Sequence, residues 1–198
     1  MIFNPAHEYV LEDERVLLRP LKVDDIKYLM PFSINEPEIW TYSMITGAGR
    51  ENMENYINGA LAARSVGTEY AFIVFDKQAN AYAGLTRFYD IQPKSKTLQL
   101  GYTWYGKQFQ GTGMNRHCKF LLLGFAFDEL GMERVEFRAD NGNARSIAAM
   151  KAIGCKVEGV LRSHSLKRDG SRRDSIILSI LKPEWESGVK EALKAKLI

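Results

Sequence analysis

A chain of 198 residues is long enough to bury a sizeable core and short enough to form one domain, 1–198. Its 45% hydrophobic and 26% charged residues exclude a disordered polymer, and a net charge of +3 gives no ground for a nucleic-acid or membrane partner. No apolar run reaches membrane-spanning length, no signal-peptide core opens the chain, and the two cysteines, Cys118 and Cys155, have no metal or redox spacing. A cytoplasmic protein with no metal and no required disulfide is expected.

Val16-Leu-Leu-Arg-Pro-Leu21 reads as a first strand ending near its proline, and Asp24 or Asp25 then caps a helix to about Met30. The stretch 33–50 is irregular, broken by Pro37, Gly47 and Gly49. Met53, Ile57 and Leu61 repeat at four-residue steps and predict a helix over 51–64. Tyr70–Phe75 and Tyr82–Tyr89 are paired strands around a polar turn at Lys77–Asn80, and Thr97–Tyr105 is another strand. A long apolar run, Cys118–Phe127, predicts a buried helix. Arg134–Ala139 alternates with period two, and Asn143–Ile153 is a short helix stopped by Gly154. Strands at 155–163 and 175–181 follow, joined by the basic turn Lys167–Arg173. Trp185, Val189 and Leu193 stripe a last helix. Strands first and alternating elements later predict an α/β fold: a mixed, mostly antiparallel sheet of six to seven strands flanked by helices.

The segment Gln108-Phe-Gln-Gly-Thr-Gly-Met-Asn115 lies between strand 97–105 and the buried helix. Strand, glycine turn, helix is an order that aims backbone N–H groups and a helix N-terminus at one spot, which suits a phosphate. Gly111 and Gly113 would let an anion approach the main chain. No Gly-Lys-Ser/Thr follows, so this is not a Walker loop, and the dinucleotide fingerprint lacks its third glycine. An ordinary strand-to-helix turn is the alternative.

A second constellation adds weight. Asn143-Ala-Arg-Ser146 opens the next helix, and Gly154-Cys-Lys-Val-Glu-Gly159 follows it. The order Gln-x-x-Gly-x-Gly, Asn-x-x-Ser, helix, Gly-x-x-x-Glu-Gly resembles the Gcn5-related N-acetyltransferases. Arg15–Leu21, Gly111–Asn115, Gly159–Arg162, Arg173-Asp174, Ser179-Ile180 and Glu184-Trp185 are similar to the branch of ribosomal-protein N-terminal acetyltransferases, across nearly the whole chain.

The resemblance implies acetyl-coenzyme A as co-substrate. Gln108, Gln110, Gly111, Thr112, Gly113, Met114 and Asn115 would hold its pyrophosphate, and the strand near Thr103, Trp104 and Tyr105 would pair with the pantetheine amides. Asn143 would bond the pantetheine, and Ser146 would face the thiol as proton donor or hydrogen-bonder. Both are equally well placed as helix-cap residues. The reaction implied is direct transfer of acetyl to a primary amine in a ternary complex. That needs a neutral amine, a backbone donor for the oxyanion near Trp104 or Tyr105, and a proton for the thiolate.

Two positions depart from the branch. Gln99 stands where a glutamate is usual, and Arg116-His117 follows the turn where a small or acidic pair is usual. Glutamine cannot act as a base, and His117 is expected at the surface. An α-amine has a pKa of about 7.7–8.0 against about 10.4 for lysine. A protein N-terminus therefore fits the lost carboxylate better.

Trp40, Tyr42, Phe88, Tyr89 and Tyr102, with Gln99, are candidates to line the acceptor pocket or simply to pack the core. The basic turn is expected to be a solvated hairpin, and the Trp185–Leu193 stripe a docked helix or a homodimer contact. Alternatives to a protein N-terminus are a small-molecule amine, a non-catalytic acyl-coenzyme A binding module, or a ribosome-associated protein using the basic turn.

Overall fold

Residue alternation builds the sheet. In β2, Val16–Pro20, the side chains of Val16, Leu18 and Pro20 are buried while Leu17 and Arg19 are half-buried. The computed structural model describes residues 3–197. One sheet runs through it. Its strands are β1 (Leu11–Glu12), β2, β3 (Glu69–Asp76), β4 (Ala81–Gln92), β5 (Thr97–Tyr105), β6 (Arg134–Asp140), β7 (Lys156–Leu166) and β8 (Arg172–Leu181). Their order is β1-β2-β3-β4-β5-β6-β8-β7. Neighbours are antiparallel except β5 and β6, which are parallel. The mixed, mostly antiparallel sheet is as expected, but it has eight strands rather than six or seven. The extra strand, β1, is two residues long, too short to show any periodicity.

Four helices cover the sheet: α1 (Ile26–Asn35), α2 (Arg50–Ser65), α3 (Met114–Gly124) and α4 (Ala144–Ala152). Asp25 accepts the Lys22 amide at 2.8 Å ahead of α1, and α1 continues past Met30 through Pro31 to Asn35. A π-helical turn, Phe125–Glu129, extends α3. The C-terminal helical segment, Lys182–Glu184, Trp185–Val189 and Lys190–Lys194, kinks at Gly188. None of the described helices is long and apolar enough to cross a membrane.

Two cores result, one on each face. The larger joins Phe72, Phe88, Leu98 and Val135 of the sheet to Leu122 of α3 and Trp185 of the C-terminal segment. Trp185 stacks at 5.6 Å on Phe127 and donates to Asp128 at 3.0 Å, so the C-terminal segment docks on the chain through Trp185 and the buried Leu193, with Val189 half-buried. The smaller core packs Leu29, Met53 and Ile57 of α1 and α2 with Trp40, Ile73 and Trp104. Gly47 is required there, because a Cβ would meet the Trp40 indole at 2.9 Å.

Candidate active site

The sheet opens at its centre. β5 and β6 pair only from Thr97↔Arg134 to Gln99↔Glu136, after which β5 continues to Tyr105 and β6 to Asp140 without pairing. A bulge in β5 accompanies the split: the register passes from Leu85↔Trp104 to Arg87↔Gly101, so Thr86 alone faces Tyr102 and Thr103. Tyr102 takes a left-handed conformation there, φ +48°. The wedge leaves one edge of β5 free for hydrogen bonds with a bound chain.

At the wide end stands the loop 108–113. Gly111 and Gly113 have φ of +77° and +88°, which side chains resist, and Gly113 is the N-cap of α3. Among the described residues no acceptor is paired with the amides of Gly111, Thr112 or Gly113. A Cβ on Gly111 would meet nothing within 4 Å. These unpaired amides and the first turn of α3 make a cradle whose electrostatics suit an anion. Thr112 Oγ1 closes the loop onto the Phe109 carbonyl at 2.9 Å. Gln110 ties it to β5 by donating to the Tyr105 carbonyl at 2.8 Å, and its own oxygen accepts from Arg145 on α4. Gln108 is exposed beside the cradle, and Met114 is fully buried, so only its backbone is available. Asn115 carries a buried side-chain oxygen with no partner. Arg145 was not signalled by any motif; it brings a cation to this end of the wedge.

Across the opening, α4 begins at the end of β6. The Asn143 amide donates to the Asp140 carbonyl at 2.8 Å, and Asn143 Oδ1 caps the helix by accepting the Ser146 amide at 3.1 Å. The Ser146 hydroxyl is half-buried and unbonded among the described residues. The capping role of Asn143 is therefore present, and the Ser146 Oγ is free for another partner.

Other site expectations separate by face. Thr103 is held in a hydroxyl pair with Thr86 at 2.8 Å. Trp104 turns into the α1–α2 core, 4.9 Å from Trp40. Burial lifts the Tyr105 phenol well above its usual pKa. Trp40 and Phe88 are fully buried, Phe88 against Phe72 and Phe125 on the far face, so both are core residues. Tyr42 is 47% exposed and lines a surface cavity. Gln99 is buried at the last paired rung, where its Nε2 donates to Asp90 Oδ2 at 2.8 Å and its Oε1 has no partner. Asp90 therefore places a carboxylate beside position 99, which sequence spacing could not show. Arg87 lies between the rings of Tyr56 and Tyr102, 4.7 and 4.4 Å from their centroids, and pairs with Glu69 at 2.6 Å.

His117 is not at the surface. It is 2% exposed, and its Nδ1 lies 2.7 Å from Asp13 of the β1–β2 turn, 104 residues away in sequence. Glu14 lies within 3.9 Å as well. Cys118 and Cys155 are buried free thiols whose pKa burial pushes up to about 12, so neither is a thiolate near neutrality. Between them in sequence order stands Lys119, also buried, which donates to Thr103 Oγ1 at 2.8 Å and Thr86 Oγ1 at 3.3 Å. Its position three and four residues before Leu122 and Leu123 marks it as inward-facing, a helical signal available in the sequence.

Comparisons with known proteins agree with this geometry. The acetyltransferase (GNAT) domain family matches residues 15–156. YdaF of Bacillus subtilis (strain 168), named provisionally as a ribosomal N-acetyltransferase, is 33% identical over 103 residues, 52% of this chain and 55% of that protein. A GCN5-related N-acetyltransferase from Brucella melitensis superposes with a TM-score of 0.89 at 26% identity, covering 98% of this chain and 88% of that one. RimL, a ribosomal L7/L12 α-N-protein acetyltransferase solved with coenzyme A, shares the fold at a TM-score of 0.77 and 17% identity, covering 89% of this chain and 99% of that one. The split between β5 and β6, the cradle at the head of α3 and the family match lead to one conclusion: the chain belongs to the GNAT acetyltransferase family.

Proposed function

We propose that this protein transfers acetyl from acetyl-coenzyme A to a primary amine, with a protein N-terminal α-amine as the favoured acceptor. The observation that carries the reading is the set of unpaired amides at Gly111–Gly113 on the N-terminus of α3, opening onto the unpaired edge of β5. The donor, when bound, supplies an activated acetyl group as a thioester. The loop amides and the α3 dipole would hold its pyrophosphate, with Arg145 adding positive charge nearby. Backbone around Thr103–Tyr105 would hold the extended arm and supply a donor to the carbonyl oxygen. Ser146 Oγ, free of other partners, would hydrogen-bond the departing sulfur, and Asn143 would fix the start of α4 against the arm.

The acceptor preference rests on position 99. Gln99 cannot take a proton, and both oxygens of the neighbouring Asp90 already accept hydrogen bonds, from Gln92 and from Gln99, so an amine that arrives largely neutral is favoured, an α-amine over a lysine side chain. The provisional ribosomal designation of YdaF supports the same choice. Two buried free thiols suit a reducing, cytoplasmic setting. The test is acetyl transfer to paired peptides, one with a free N-terminus and blocked lysine, the other the reverse. Faster acetylation of the free N-terminus is expected, and faster acetylation of lysine would overturn the preference. Donor binding without turnover of either peptide or of free small amines would favour a non-catalytic binding module.

A further inference from the structure

A cavity of about 150 Å³ opens beside the wedge, between the segment 41–44 and the β7–β8 turn. That space is enough for one small functional group. One wall is Asp140, the last residue of β6, whose carbonyl accepts the Asn143 amide at 2.8 Å. The cavity thus adjoins the end of the wedge where Asn143 and Ser146 stand.

Its charges, two carboxylates among them, are unevenly satisfied: Asp169 accepts the Ser171 amide at 2.9 Å and the Ser171 hydroxyl at 2.7 Å. The Asp140 carboxylate is already engaged, by the Gly142 amide at 2.8 Å and by Lys167 at 3.3 Å. Arg168 is spent on the Trp40 carbonyl at 2.8 Å, which ties the hairpin to the opposite wall. Arg173 differs. It is 8% exposed, its Nε donates to Ser175 Oγ at 3.0 Å, and it forms no ion pair among the described residues. Neither of its terminal nitrogens has a protein acceptor and neither is fully enclosed, so both are open to an added partner, and the residue lines the cavity. A planar guanidinium with both terminal nitrogens free is shaped for a carboxylate.

We infer that Arg173 is the specificity residue of the acceptor site, binding a carboxylate that the acceptor carries close to its amine. This deepens the acetyl-transfer reading and rests on it. Two sources supply that chemistry: a free α-amino acid, or a peptide with Asp or Glu at or next to its N-terminus. The basic turn is thus not wholly a solvated hairpin, because its last residue points inward.

The experiment compares kcat/KM for matched acceptors: amino acids against their carboxamides, and Asp- or Glu-initiated peptide amides against their Asn or Gln counterparts. The carboxylate member of one series is expected to be preferred about 10- to 100-fold, the range of a hydrogen-bonded charge, mainly through KM. The series that shows the preference identifies the source. In Arg173→Met the ratio should fall to about one, and Arg173→Lys should restore part of it. Ser175 keeps His164 as a partner at 3.0 Å in either variant. If Arg173→Met does not fold, the wild-type ratios decide alone. Equal rates for both members of every pair would overturn the inference while leaving acetyl transfer intact. If no amine is acetylated, the transferase reading fails. Calorimetry of the N-acetylated carboxylate and carboxamide products with the coenzyme A-loaded protein then decides: tighter binding of the carboxylate supports the Arg173 site, and equal binding refutes it.

Discussion

The ammonium of Lys119 donates to Thr103 Oγ1 at 2.8 Å, and Thr103 in turn pairs with Thr86 at 2.8 Å. One cation from α3 therefore bridges both strands at the bulge that opens the wedge. No carboxylate among the described residues pairs with it, and desolvation lowers its pKa to about 8, partly offset by the nearby Cys118 and Cys155. A lowered lysine pKa means the unfolded chain binds more protons between about 8 and 10.5, so stability rises with pH across that window. Below about pH 8 the charge costs roughly 3 kcal/mol, because each tenfold loss of proton affinity is worth about 1.4 kcal/mol.

Lys119→Met should therefore stabilise the fold at pH 7 by about 1–2 kcal/mol after the lost hydrogen bonds are counted. The threonines keep each other as partners. The gain should shrink towards pH 10. Urea unfolding at pH 7 and pH 10 measures both quantities, and a loss of stability at pH 7 would show that the ammonium is better solvated than its burial suggests.

Ser146 and Asn143 should behave differently when truncated. Ser146→Ala leaves the cap intact, since the cap uses the Ser146 amide, so its melting temperature should stay near wild type while kcat falls about tenfold or more. Asn143→Ala removes the cap and should cost about 1 kcal/mol of stability, with weaker donor binding besides. Equal stability losses in the two variants would refute the division of roles.

Gln99→Glu places a second carboxylate within hydrogen-bond distance of Asp90. The pair would share a proton, raising the upper apparent pKa. The folded state then binds more protons than the unfolded one above about pH 4.3, so the variant loses stability as pH rises through that upper pKa. The expected deficit at pH 7 is about 1–4 kcal/mol, the repulsion of two charges about 4 Å apart between water and a protein surface. Activity towards lysine-type amines should rise relative to α-amines. Melting curves from pH 4 to 8 and the peptide pair already described measure the two effects.

Period and punctuation made much of this fold legible. Gly111 and Gly113 marked the turn into α3, where both take positive φ, alternation marked the strand at 134–139, and the apolar run Tyr70–Phe75 marked the strand at 69–76. What failed depended on distance or on sheet face. His117 is buried by Asp13, a partner no local pattern could supply. Phe88 and Gln99 lie on adjacent strands, and only the stacking of helices decides that Phe88 enters the core. Arg173 was masked by its basic neighbours, although the alternation in β8, with Arg172 and Asp174 exposed and Arg173 and Ser175 buried, carries its signal. Asp90 reaches Gln99 across a hairpin, so its relevance appears only with the register.

The central claim is most directly tested by amine-dependent thiol release from acetyl-coenzyme A by the wild-type protein and by Gly111→Trp. The space above Gly111 is open, so the indole can be housed at the expense of about 1–2 kcal/mol of backbone strain while it covers the loop amides. Release in the wild type, with at least a tenfold rise in the KM for acetyl-coenzyme A in a folded Gly111→Trp, is the predicted result. Unchanged kinetics in that folded variant, or no binding of acetyl-coenzyme A by the wild type, would contradict the account.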